Sequence, residues 1–275
     1  MMMNVMMCPV CRGELALQHA TWRCKQGHSY DVAKQGYVNL HVVQHKHSKT
    51  PGDTPESVQA RREFLSGGFY QPLRDAIEAQ ISALKVKTIL DIGCGEGYYT
   101  DAMQKHAKVC IGLDIAKTAV QRAAKTNADV TWVVGTGAIL PVLDQSMDVC
   151  SSLFSPIPKA EILRVLKPEG HLIVVTPAPS HLYNLRAALF DEVKLHEPEK
   201  FVEQLNDGLA LVQQHMVEST FELEQAQLKN LIAMTPYAYK AKPEKRTEIE
   251  NQSCIKLTAC FQIYIFQKIK KQPSI

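Results

Sequence analysis

No stretch of this sequence approaches the roughly 18 to 20 consecutive apolar residues that a membrane span requires. Nor is a secretory leader written at the start, where Met1 to Met7 is rich in methionine but carries no basic segment and too short an apolar run. A soluble, cytosolic protein is therefore expected, and in that compartment eight cysteines do not make a disulfide framework. Internal repeats are missing. A large excess of either charge is missing too: the formal net charge is only +3, a weak argument for nucleic acid by itself. Its distribution says more. Residues 1–50 carry Arg12, Arg23, Lys25, Lys34, Lys46 and Lys49 against Glu14 and Asp31, six minus two, so +4 lies there and −1 in the remainder. A solvated surface and a phosphate-binding surface are both compatible with that excess.

With 45% apolar and 21% charged residues, a sizeable core can form and global disorder is excluded. A length of 275 residues suits one main domain plus a small module. The expected division is a small module over 1–40, a basic connector over 41–56 and a main domain over 57–275. The connector holds His41, His45, Lys46, His47 and Lys49 before the turn formers Thr50-Pro51-Gly52-Asp53-Thr54-Pro55.

The cysteines divide by context. Cys8, Cys11 and Cys24 stand near His28 in the pattern Cys-x2-Cys, twelve residues, Cys-x3-His. Two close pairs of soft ligands match a closed, tetrahedral structural zinc site with no position left for a reactive water. His19 is the alternative fourth ligand, though it falls outside the paired spacing, and four unrelated residues are the bland alternative. So small a module supports no core alone, so metal should drive its folding. Cys94 lies in a glycine loop. Cys110, Cys150, Cys254 and Cys260 sit in apolar, β-like runs and are expected to be small buried residues.

From residue 56 onward, helices are expected over 56–65 and 72–84. Then strands (88–92, 109–115, 130–135, 147–154, 171–176) alternate with helices (98–106, 117–126, 159–166, 181–195). That rhythm predicts an α/β fold, a parallel sheet with helices on both faces. It ends differently, with a strand over 214–223, a helix over 224–234 and a strand over 258–267. A terminal antiparallel hairpin of this kind marks the Rossmann-like class I methyltransferase sheet.

Strand 88–92 runs into Gly93-Cys94-Gly95-Glu96-Gly97. Glycines there allow a ligand to approach the backbone closely. The spacing differs from the Gly-x-Gly-x-x-Gly of dinucleotide sites, and a sulfonium cofactor has no pyrophosphate to seat on a helix N-terminus. The next strand ends in Asp114, placed to accept hydrogen bonds from both ribose hydroxyls or, alternatively, to cap the following helix. Asp91 is expected to order the loop or approach the methionine ammonium. S-Adenosylmethionine is the cofactor this arrangement predicts.

On the target side, strand four ends at Phe154-Ser155-Pro156. The usual amino-methyltransferase tetrapeptide begins with Asn or Asp, so this is a poor match. Phe154 could stack a planar base, with a backbone carbonyl accepting a hydrogen bond. A tight turn with a buried Phe is the equal alternative. His181, just past strand five, faces the carboxyl edge where ligands of open α/β sheets bind, although a lone histidine is usually structural.

Taken together, Cys8-Pro9-Val10-Cys11, Gly36-Tyr37-Val38-Asn39-Leu40, Gln44-His45-Lys46, Pro51-Gly52-Asp53, Ala60-Arg61-Arg62, Tyr70 to Ala76, Asp91 to Thr100, Met234-Thr235-Pro236 and Ala241-Lys242-Pro243-Glu244 resemble the RlmA family over nearly the whole chain. These are bacterial 23S ribosomal RNA guanine-N1 methyltransferases. The resemblance implies a zinc module that helps grip RNA, a homodimer with a basic cleft, and a guanine target in a domain II stem-loop. It also implies that Tyr70 and His181 line the cofactor pocket. Of two subgroups that methylate neighbouring guanines, the blocks match the enterobacterial type. The guanine must be unpaired or flipped, and its N1 proton must leave as the methyl arrives. Asp91, Glu96 and Asp114 are tied to the cofactor, so no general base is named. Two other classes stand beside this one: a small-molecule methyltransferase with a zinc cap, and a non-catalytic RNA-binding protein.

Overall fold

Strand β5 (Thr88–Ile92) is buried at every position, as the continuous apolar run of a central parallel strand requires. In the computed structural model, which describes residues 4–42, 53–197 and 199–270, it sits near the middle of a mixed sheet. Among the described residues eight strands form that sheet in the order β10-β11-β9-β8-β5-β6-β7-β4. The others are β4 (Tyr37–Asn39), β6 (Val109–Asp114), β7 (Thr131–Val134), β8 (Met147–Leu153), β9 (Leu166–Pro177), β10 (Leu209–Glu224) and β11 (Cys254–Lys268). Every pair from β9 across to β4 is parallel, and β11 runs antiparallel to both β9 and β10. The expected α/β class with its terminal hairpin is what the chain adopts.

From β5 the chain steps to β6 and β7 on one side, then returns to β8 on the other. The carboxyl ends of β5 and β8 therefore flank the point where strand order reverses, and a crevice opens there. Helices α3 (Thr100–Gln104), α4 (Lys117–Thr126) and α5 (Lys159–Val165) make the crossovers. Helices α1 (Pro55–Ser66) and α2 (Gln71–Leu84) precede the sheet; α1 opens on Thr54, whose side chain accepts from Ser57 N at 3.2 Å. Three further helices lie beyond the expected pattern: α7 (Glu199–Leu205), α9 (Tyr237–Lys240) and α10 (Pro243–Glu250). The expected 181–195 helix shrinks to α6 (Tyr183–Leu189), and α8 (Gln225–Ala233) packs on α1.

Strand β11 shows how the two faces are filled. Leu257, Ala259, Phe261, Ile263 and Ile265 join one apolar cluster with Phe64, Ile77 and Trp132, while Tyr264 and Phe266 join a second on the opposite face. This is the two-residue alternation of a strand covered on both sides. Cys110, Cys150 and Cys260 are buried as expected; Cys254 is exposed, because it opens β11 at the sheet's rim.

The N-terminal segment forms a three-stranded antiparallel sheet of β1 (Leu15–Gln18), β2 (Thr21–Cys24) and β3 (Ser29–Asp31). It docks closely on the main sheet. Strand β4 pairs in parallel with β7, so residues 37–39 belong to the main sheet. Met7 N donates to Pro141 O at 2.9 Å and Leu143 N to Val5 O at 2.8 Å. Val5, Met6, Leu15, Val38 and Leu40 are buried in the same cluster as Leu140, Val142 and Ile162. Of the connector, His45, Lys46, His47 and Lys49 lie outside the described residues.

Candidate functional site

Two tight turns build the cysteine site. In the first, Cys8 N donates to Gly13 O and Arg12 N to Cys8 O; in the second, Gly27, at φ +86°, lets Gly27 N reach Cys24 O. They bring Cys8, Cys11, Cys24 and His28 together, with donor atoms all within 4.8 Å of one another. Cys8 Sγ and Cys24 Sγ lie 3.6 and 3.3 Å from His28 Nδ1, and Cys11 Sγ lies 3.6 Å from Cys24 Sγ. Zinc bonds of about 2.3 Å to sulfur and 2.0 Å to nitrogen put tetrahedral ligands about 3.5 to 3.8 Å apart. The residues therefore fit the ion, through Nδ1 of the histidine. His19 is not among them: it sits at φ +56° in the turn between β1 and β2. Tyr30 Oη lies 3.4 Å from Cys8 Sγ, close enough to donate to a thiolate.

The glycine loop has three glycines for three reasons. A Cβ on Gly93 would come within 2.5 Å of the Ser155 side chain, and one on Gly97 within 2.5 Å of Trp132, so those two permit packing. Gly95, at φ +56°, would meet nothing within 4 Å. Its open side faces the crevice, the cradle a ligand needs. Gly93 N and Cys94 N both donate to Leu113 O, at 2.8 and 3.0 Å, which ties the loop to β6. Burial and the neighbouring Asp114 and Asp91 push the Cys94 thiol well up, so it is an uncharged part of the wall.

Asp91 is enclosed. Its carboxylate accepts from Ser151 Oγ at 2.7 Å and Thr100 Oγ1 at 2.5 Å, and burial raises it to about 6 despite those bonds. It braces the strand end that carries the loop. Asp114 accepts from Gly95 N at 2.8 Å through one oxygen and from Ala116 N at 2.7 Å through the other. Ala116, not Asp114, is the N-cap of α4, so Asp114 fixes the turn before the helix without capping it, and each oxygen retains a lone pair for a ribose hydroxyl. The Glu96 carboxyl is raised by burial, with Arg62, Arg122 and Arg61 opposing that.

Across the crevice, Tyr70 and His181 meet through a residue that no sequence motif singles out. The Phe261 ring lies 4.7 Å from Tyr70 and 4.8 Å from His181. His181 Nδ1–H donates to Cys260 O at 2.9 Å, and burial holds the imidazole down to about 3, so it is neutral. Of Phe154-Ser155-Pro156, the first and last are exposed and the serine is turned inward. Ser155 Oγ donates to Ile92 O at 2.7 Å and lies 2.9 Å from Ser152 Oγ, which commits it to the turn. Phe154 sits in the left-handed region at φ +57° and is 45% exposed, its ring 5.7 Å from Phe261 and 6.3 Å from Tyr99. The tight turn is there; the buried Phe is not.

All nine expected cofactor residues but Gly97 line a single crevice of about 1470 Å³, together with Phe154, Ser155 and Pro156. Its walls also include Gly135 to Ala138 after β7, Arg61, Thr176, His196 and Tyr237. A signal for the first was present: Gly135-Thr136-Gly137 follows a strand directly, as the cofactor loop does. Arg61 is held by Asp53 and by Met234 O at 3.2 Å, a contact across 173 residues that no local pattern announces.

Sheet order, switch-point crevice and open glycine cradle define a class I methyltransferase that uses S-adenosylmethionine. Within that class a methyltransferase-domain family model matches residues 90–174, and the model for the N-terminal part of RlmA, a zinc ribbon, matches residues 6–49. The chain belongs to the RlmA family. A Streptomyces fradiae protein named 23S rRNA (guanine(748)-N(1))-methyltransferase is 32% identical over 246 residues, 86% of this chain and 87% of the relative. YxjB of Bacillus subtilis (strain 168), whose name gives guanine-N1 methylation of 23S rRNA as provisional, is 31% identical over 95% of this chain and 96% of its own. The fold is also that of the YcgJ protein of Bacillus subtilis, with a TM-score of 0.50 at 18% identity over 72% of this chain and 99% of that one. No helix among the described residues is long and apolar enough to cross a membrane.

Proposed function

We propose that this protein methylates N1 of one guanine in a domain II stem-loop of 23S ribosomal RNA, in the cytoplasm and as a homodimer. One observation carries the reading: the open cradle at Gly95 and the exposed ring of Phe154 share a crevice of about 1470 Å³. Ordinary small-ligand pockets run to about 1000 Å³. The excess suits a cofactor and a flipped base side by side. Bound S-adenosylmethionine supplies the electrophilic methyl. The chain does the rest: Gly95 leaves room for the ligand, Asp114 offers the ribose its free lone pairs, and Asp91 holds the loop. Tyr70 and His181 form the facing wall, with Cys94, Glu96 and the Gly93 and Gly97 turns completing the loop. Phe154 offers a stacking face to the guanine, while Ser155 and Pro156 set the turn that projects it. Orientation is the main catalytic contribution of such a site.

Cys8, Cys11, Cys24 and His28 would hold the structural zinc, and the module, connector and catalytic domain divide near residues 40 and 56. The sequence blocks favour the enterobacterial subgroup, while the Streptomyces fradiae relative is named for guanine 748. Transfer of labelled methyl to a protein-free stem-loop transcript, followed by primer extension, tests the whole reading and reports the position. A small-molecule enzyme or a non-catalytic binder would leave the transcript unlabelled.

A further inference from the structure

Among the described residues, seven buried side-chain polar atoms have no hydrogen-bond partner, and three of them line the one crevice: Tyr99 Oη, Thr176 Oγ1 and His196 Nε2. Folded proteins satisfy nearly all such groups, so orphans gathered in one cleft mark contacts that a ligand completes. Their placement says which ligand. The glycine loop, Asp114 and Gly135 occupy the ends of β5, β6 and β7. Thr176 lies at the end of β9, and His196 lies beyond α6 in the segment leading to α7. Strand β9 adjoins β8, which ends at Phe154; the His196 ring lies 6.4 Å from His181, which meets Phe154 through Phe261, and Tyr99 lies 6.3 Å from Phe154.

We propose, resting on the guanine-N1 reading above, that these groups form the target-base subsite and that His196 Nε2 is the general base that accepts the guanine N1 proton. The N1–H bond breaks toward His196 Nε2 and leaves an imidazolium. The N1 electron pair forms the new bond to the methyl carbon. The carbon–sulfur pair stays on sulfur in the departing thioether. The Tyr99 and Thr176 hydroxyls meet polar atoms elsewhere on the base edge.

His196 suits the task better than its neighbour. His181, 6.4 Å away ring to ring, already spends Nδ1 on Cys260 O and is held to about 3, a poor proton acceptor. His196 is lowered by burial and by the Arg186 guanidinium, which keeps it neutral at pH 7. Arg186 also fixes the segment, donating to His181 O at 3.1 Å, to Pro179 O at 3.2 Å and to Lys194 O two residues before His196.

The test uses the full zinc-loaded chain, a domain II stem-loop transcript and the variants His196→Ala and His196→Gln. Single-turnover methyl transfer should fall at least about a hundredfold in both, the usual share of a general base. Calorimetry with S-adenosylhomocysteine and filter binding of the transcript should change less than threefold. Added imidazole should restore at least tenfold of the rate in His196→Ala and none in His196→Gln. In 15N-histidine spectra, the His196 ring nitrogens should shift when transcript joins the S-adenosylhomocysteine complex. Variants that methylate as fast as wild type, a loss explained by weakened binding, or a His196 signal unmoved by transcript overturn the assignment. Wild-type protein that leaves the transcript unlabelled overturns the substrate reading, and this inference with it.

Discussion

At Gly95 the chain bends through φ +56° beside open space, so conformation and vacancy act together. Gly95→Val costs about 1 to 2 kcal/mol for a left-handed non-glycine residue, which a domain survives. Its side chain then stands where the cofactor should, and calorimetry should find no S-adenosylmethionine binding while the far-ultraviolet circular dichroism stays unchanged. Unaltered affinity would remove the loop from the site. Asp91 makes a different prediction. A carboxyl raised from 3.8 to about 6 binds its proton more tightly folded than unfolded. Its favourable contribution is full below pH 3.8 and is lost as pH rises to about 6. The gap corresponds to at most about 3 kcal/mol. Asp91→Asn, whose amide accepts from one of the two hydroxyls and donates to the other, should raise the melting temperature at pH 7 and leave it unchanged at pH 3.5. A lower melting temperature at pH 7 would show that the charged form is favoured in the fold. Phe154→Gly removes strain and ring together; the expected result is stability within about 1 kcal/mol of wild type, from relief of the left-handed conformation, with transfer to RNA lost. Residues such as Gly95 and Phe154 were legible because their position follows from a strand end. The partners of Ser155 and His181 were not, since they come from elements 63 and 79 residues away.

The elements that could be read were those with a strong period. Strand β5 and helix α4 occur where the pattern puts them, because continuous burial and a well-separated apolar face each leave little choice. Helices α9 and α10 escaped for the opposite reason: α10 buries only Ile249, so its helicity comes from a proline start and from tertiary neighbours, not from a stripe. Strand β4 escaped because three residues carry no period, and only its pairing with β7 makes it a sheet strand. That pairing changes what zinc removal should do. Leu15 and Val38 are fully buried against the main domain, worth about 1.5 to 3 kcal/mol each. Metal analysis should find one zinc per chain; Cys24→Ala should abolish it and loosen residues 8–31. It should also lower the melting temperature of the whole protein by several degrees, since β4 and the Val5–Met7 segment are held from both ends. An unchanged melting curve in zinc-free protein would show that the module folds and docks without its metal.

At the scale of the whole molecule, the excess of positive charge lies in residues 1–50. Among the described residues of that stretch, Arg12, Arg23, Lys25 and Lys34 are exposed on the zinc module, and Lys46 and Lys49 follow outside the described residues. A truncation of residues 1–40 is the obvious probe, but it would also strip β4 from the sheet and Val5, Met6, Leu15, Tyr37, Val38 and Leu40 from the core, so its losses would not isolate RNA binding. Point substitution separates the effects. Arg23→Ala with Lys25→Ala removes two charges from exposed positions, and Lys46→Ala with Lys49→Ala removes two from the connector. Each pair should weaken stem-loop binding about tenfold, roughly 1.4 kcal/mol. Every phosphate left without its cation should flatten the logarithmic salt dependence by about one. S-Adenosylmethionine affinity and melting temperature should stay at wild-type values; Arg23 and Lys25 are exposed and do not line the crevice. Primer extension should find the same guanine methylated, since phosphate contacts position the RNA and base contacts choose the nucleotide. Filter binding across a salt series checks the first claim and primer extension the last. If both double variants bind with wild-type affinity and salt slope, the N-terminal charge is a solvated surface, and the grip on RNA must be sought around the crevice mouth, where Arg61, Lys194, Lys240 and Lys242 stand.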